Sequence, residues 1–61
     1  MPLVTVRALE GRTIEQKRGL AKDITEAFVK NFKVEPDAVT IYLIEFSKDN
    51  LAKAGQLFVD R

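Results

Sequence analysis

The segment at residues 39–46, Val-Thr-Ile-Tyr-Leu-Ile-Glu-Phe, constrains this chain more than any other. Its β-branched and aromatic content reads as a strand. Ile41 and Leu43 point to one side while Tyr42, Ile44 and Phe46 point to the other, so both faces are largely apolar. A strand of that kind needs cover on both sides. The chain is 61 residues long and carries one stretch with the period of a substantial helix. One helix covers one face, so the other must meet a second copy of the chain. Size points the same way, because domains this short have marginal cores and often add a disulfide, a metal or a partner subunit. The chain holds no cysteine and no histidine. Disulfides, thiolate metal sites and cysteine nucleophiles are therefore excluded, a Ser-His-Asp triad is impossible, and zinc ligation is disfavoured. Self-association is the staple that remains.

The rest of the chain supplies the partners of that strand. At residues 2–9, Pro2, Val4, Val6 and Ala8 alternate against Leu3, Thr5, Arg7 and Leu9, a strand with one cleanly apolar face. Glu10-Gly11-Arg12 punctuates it. Thr13-Ile14-Glu15-Gln16 then fits the capping-box pattern at a helix start. Leu20, Ala21, Ile24, Ala27, Phe28 and Phe32 recur at helical spacing as an apolar stripe, and Glu26 and Lys30 form a favourable i,i+4 pair on the wet side. Gly19 is the weak point of the helix. It should stop before Pro36, because a residue preceding proline is pushed out of the α region.

Strand, helix and strand in that order predict an α/β (α+β) fold, a single β-α-β unit with parallel strands and a right-handed crossover. Residues 47–61 hold a polar loop, a turn at Gly55 and the apolar piece Leu57-Phe58-Val59, expected to add a short C-terminal hairpin or strand. No linker, repeat or low-complexity tract interrupts the sequence, so residues 1–61 read as one domain.

Ten basic and nine acidic residues give a formal charge of +1. That balance lacks the basic footprint of a nucleic-acid binder. No apolar run approaches the ~20 residues needed to span a bilayer, and no secretory signal opens the chain. The expectation is a cytoplasmic protein with neither nucleic-acid nor membrane partners.

Without histidine or cysteine, few groups can move protons near neutral pH. Most carboxylates fall on loops or on the wet helix face, and no pair stands at a glycosidase-like spacing. Glu45 alternates with Leu43 and reads first as a strand-end carboxylate paired with a cation. Ser47 lacks a base, and Gly11, Gly19 and Gly55 are too scattered to cradle a phosphate. The chain terminus is the unusual group. Removal of Met1, expected ahead of a small proline, leaves Pro2 as a secondary amine. An unperturbed α-amino group titrates at about 7.7–8.0. Burial among apolar neighbours and nearby arginines both disfavour the protonated form. Such an amine can take up a proton and return it. The plainer reading, a proline opening an edge strand where no N–H is needed, stays open on residue chemistry alone.

The Met-Pro opening, the run Leu9-Glu10-Gly11-Arg12-Thr13 followed by Glu15-Gln16-Lys17, and the second strand together resemble the small 4-oxalocrotonate tautomerase family of the tautomerase superfamily. The resemblance covers essentially the whole chain. It implies a cofactor-free isomerase in which the processed proline, here Pro2, is the catalytic base. It also implies a β-α-β fold and subunits assembled as hexamers built from dimers. Arg12 matches the family arginine that binds a substrate carboxylate, a task suited to a guanidinium fork. Leu9 and Leu51, with Leu3, Phe46 and Leu57, are candidates for the apolar walls.

The sequence also departs from the family. Thr40 stands where the best-known members carry a second-strand arginine that polarises the substrate oxygen, and a hydroxyl donates a hydrogen bond without charge. Leu51 stands where they have an aromatic ring, and Ala52 and Ala54 beside Gly55 keep only part of their glycine-rich turn. Lys48, Lys53 and Arg7 are candidates for a replacement cation. The expected activity is ketonisation of small enol or 2-hydroxydienoate carboxylates such as 2-hydroxymuconate. The alternative is a non-catalytic or only weakly promiscuous oligomeric binding module on the same fold. Pro2 and Arg12 flank the first strand, about 25–30 Å apart at ~3.3 Å per residue, so they can meet only across subunits.

Overall fold

The computed structural model describes residues 1–61. Strand β1 runs Leu3–Leu9, helix α1 Ile14–Phe32 and strand β2 Thr40–Phe46, followed by the two-residue strands β3 (Ala52–Lys53) and β4 (Gln56–Leu57). Single 3-10 turns lie at Pro36–Ala38, Lys48–Asn50 and Phe58–Asp60.

Strands β1 and β2 pair in parallel, from Leu3 opposite Thr40 to Leu9 opposite Phe46. The register sorts the side chains by face. Val4, Val6 and Ala8 lie beside Ile41, Leu43 and Glu45, while Leu3, Thr5, Arg7 and Leu9 lie beside Thr40, Tyr42, Ile44 and Phe46. Helix α1 packs on the first set and is anchored there by an ion pair between Lys17 and Glu45. The second set is left largely open by the chain: Leu3 is 66% exposed and Tyr42 62% exposed, while Leu9 and Phe46 at its far end are half-buried.

The capping box forms as the sequence predicts. Gln16 N–H donates to Thr13 Oγ1 at 3.1 Å, and Thr13 N–H donates to Gln16 Oε1 at 2.9 Å. Two helical expectations are corrected. The ion pair along the helix joins Glu15 and Arg18 rather than Glu26 and Lys30, at the first turn where an acid also meets the positive end of the helix dipole. The half-buried stripe runs through Lys17, Ala21, Ile24 and Phe28 with Thr25 and Val29 beside it, whereas Leu20, Ala27 and Phe32 are exposed. Phe32 forms a T-shaped pair with Phe28, with ring centroids 4.9 Å apart.

The C-terminal piece closes on itself as an antiparallel hairpin, with Ala52 opposite Leu57 and Lys53 opposite Gln56. Ala54 at φ 52° and Gly55 at φ 78° form its two-residue loop, a turn that matches the twist of paired strands. No residue of the lone chain is fully buried. Its core is half of one.

Candidate active site

The strand register places the candidate residues in two groups. Pro2 directly precedes β1, where a missing N–H costs nothing. Its carbonyl accepts a hydrogen bond from Thr40 N–H at 3.0 Å, which ties the head of β1 to the head of β2. Pro2 is half-buried and Thr40 is exposed beside it. Leu3 and Thr40, on the uncovered sheet face, are paired neighbours here.

The second group gathers at the far end of the same strands. Leu9 lies opposite Phe46, and Glu10 N–H donates to the Phe46 carbonyl at 2.9 Å. The chain then turns at Gly11, whose φ of 115° is open only to a residue without a Cβ. Arg12 follows on the loop before the Thr13 cap and is exposed. It borders a cleft of about 690 Å³ lined also by Leu9, Gly11, Ser47, Lys48 and Val59. Leu51 follows the Lys48–Asn50 turn, half-buried, and its carbonyl accepts from Phe58 N–H at 2.8 Å. The cleft wall and the hairpin base are thus one continuous segment.

Within one chain, therefore, Pro2 meets Thr40 and Arg12 meets Leu9, but Pro2 does not meet Arg12. The seven residues of β1 stand between them, roughly 23 Å at ~3.3 Å per residue before the turn at Gly11 is added. Glu45 takes the role expected first, holding Lys17 with both side chains 29% exposed. Ser47, Lys48 and Val59 are cleft residues that sequence reasoning did not assign. Their position depends on how the tail folds back, and the only local signal was Lys48 as an unplaced cation.

A parallel β-α-β unit of this size, with a proline heading its first strand and an arginine on the loop at the strand's far end, defines a class that comparison with known proteins makes explicit. The family model described as tautomerase enzyme matches residues 2–61. A probable tautomerase of Bradyrhizobium diazoefficiens is 49% identical over 61 residues, spanning 100% of this chain and 91% of that protein. The 2-hydroxymuconate tautomerase of Bacillus subtilis is 42% identical over 60 residues, 98% of this chain and 97% of its own. Among solved structures, a 4-oxalocrotonate tautomerase isozyme from Methylibium petroleiphilum is 42% identical, covers 98% of this chain and 94% of its own, and superposes with a TM-score of 0.90.

The chain belongs to the tautomerase family, in its 4-oxalocrotonate tautomerase branch, and is an isomerase by class. No helix is long and apolar enough to cross a membrane.

Proposed function

We propose that this protein ketonises small enol or 2-hydroxydienoate carboxylates such as 2-hydroxymuconate, without a cofactor, using Pro2 as the general acid/base once Met1 is removed. The observation that carries this reading is the place of Pro2: half-buried at the head of β1, beside the edge of an apolar sheet face left open by its own chain. When a second copy covers that face, water is displaced around the proline nitrogen. Desolvation disfavours the ammonium form, and a neutral secondary amine is a competent base at physiological pH.

The proton inventory balances within the substrate. Pro2 nitrogen removes the proton of the 2-hydroxyl as the oxygen becomes a carbonyl. The electron pair moves along the conjugated system, and the prolinium returns a proton to a carbon further along. Arg12 of a neighbouring subunit holds a carboxylate, and Thr40 donates to the oxygen. Leu9 and Leu51 supply apolar wall near Arg12. The reading requires a homo-oligomer, in the hexameric arrangement of dimers that the family resemblance implies, acting inside the cytoplasm.

The test compares processed protein, its Pro2 nitrogen verified free by intact mass, with a form that retains Met1. Retention places the nitrogen in an amide and should abolish ketonisation of 2-hydroxymuconate while leaving the oligomer intact by sedimentation. Equal turnover by the two forms would remove Pro2 from the chemistry.

A further inference from the structure

The cleft beside Arg12 contains a second cation. Lys48 lines the same wall, on the opposite strand connection, and stands on a turn pinned by side-chain bonds. Ser47 hydroxyl donates to Asp49 Oδ1, Asn50 Nδ2 donates to Ser47 Oγ at 3.3 Å, and Asn50 N–H donates to the Ser47 carbonyl at 3.0 Å. Glu10 and Asp49 also line the cleft, yet neither forms an ion pair with Arg12 or Lys48: the ion pairs of the chain are Lys17 with Glu45 and Arg18 with Glu15. Asp49 is engaged by the Ser47 hydroxyl. Arg12 and Lys48 therefore share one concave wall and neither is tied up in an ion pair. At the Pro2 end, Thr40 stands at the head of β2 and its side chain is a hydroxyl without charge.

We infer that Lys48 acts with Arg12 as a two-cation clamp, and that it selects substrates carrying a carboxylate remote from the reacting hydroxyl. The inference rests on the reading of Pro2 and Arg12 given above. Arg12 provides a planar fork and Lys48 a mobile point charge, so one carboxylate can accept from both. Both residues belong to the same chain and travel together into whichever subunit junction Arg12 completes. Two cations at this end and a hydroxyl at Thr40 polarise recognition. A diacid with its second carboxylate at the far end gains both cations, while a monoacid whose carboxylate adjoins the hydroxyl gains neither.

The test is Lys48→Met in the full, processed oligomer, with Lys48→Arg as the conservative control. Ketonisation is compared for 2-hydroxymuconate, a diacid, and 2-hydroxypenta-2,4-dienoate, a monoacid. The ratio of kcat/KM for diacid over monoacid should fall roughly tenfold in Lys48→Met, the size expected for one hydrogen bond to a charged group. The loss should sit in KM, and Lys48→Arg should restore most of the ratio. An unchanged ratio, or equal losses on both substrates, would overturn the inference. If unsubstituted protein turns over neither substrate, the reading of Pro2 fails separately. Calorimetric binding of cis,cis-muconate, a diacid without the hydroxyl, then decides on Lys48. Weaker binding by Lys48→Met supports the clamp, and equal or absent binding by both proteins contradicts it.

Discussion

Arg12 shows what a single position can and cannot declare about itself. Its place between a strand and a helix cap makes it an exposed loop residue, and nothing in its immediate neighbours distinguishes a solvated arginine from a ligand. Its meaning comes from the cleft formed with a segment some 35 residues later in the chain. Replacing Arg12 with alanine should raise KM for 2-hydroxymuconate by about tenfold to a hundredfold, the cost of losing hydrogen bonds to an ionised group, with a smaller effect on kcat. Steady-state kinetics checks this, and an unchanged KM would take Arg12 out of the site. Glu45 and Lys48 teach the same lesson from opposite sides. The partner of Glu45, Lys17, lies 28 positions away, so only its general fate as a paired carboxylate was legible. Lys48 could be named as a spare cation but not placed, because its position depends on the bonds around Ser47. Pro2 was legible as the residue that opens β1, since it stands directly before the first alternating run.

Among the elements, legibility tracked length. Both seven-residue strands and the 19-residue helix are long enough for their periods to show, and the start of α1 was legible to the residue because Thr13 and Gln16 carry their own capping chemistry. The end of the helix was less so. Lys33 closes it in the left-handed region at φ 58°, a conformation that favours glycine, so no residue type announced it. The hairpin was partly legible for the same reason: two-residue strands show no alternation, and of its loop only Gly55 advertises a positive φ, while Ala54 adopts one without advertising it. Gly19 offers a clean test of the helix. It sits in the interior of α1, and a Cβ there would meet nothing within 4 Å. Gly19→Ala should therefore stabilise the protein by about 0.5–1 kcal/mol per chain through reduced backbone freedom alone. Thermal and denaturant unfolding should both show it, and a loss of stability would mean that another subunit packs against that position.

At the scale of the whole molecule, the single chain is more extended than a compact domain of its length. Its radius of gyration is 14.9 Å, against about 10.5 Å for a compact domain of this length. Its accessible surface is 5013 Å², against roughly 4,000 Å² for a folded monomer of this mass. The excess belongs to a slab 44 Å long and 13 Å thin with one apolar face open. The sequence foretold this through the two-sided apolarity of β2, and the fold shows which side is left. The geometry of the copies was not legible, since a parallel register says which residues face outwards but not how two such faces are turned against each other. For the proposed reaction that junction matters, because Pro2 and Arg12 lie at opposite ends of β1 and whatever covers the proline nitrogen would set its environment. Its protonation state is the most direct measurement. In processed protein labelled with ¹⁵N at Pro2, a pH titration followed by NMR should find the amine largely unprotonated at about pH 7.5, below the ordinary α-amino value. The acid limb of kcat/KM should follow the same titration, with activity lost as pH falls and the base takes up its proton. A nitrogen that stays protonated well into the alkaline range would contradict Pro2 as the base.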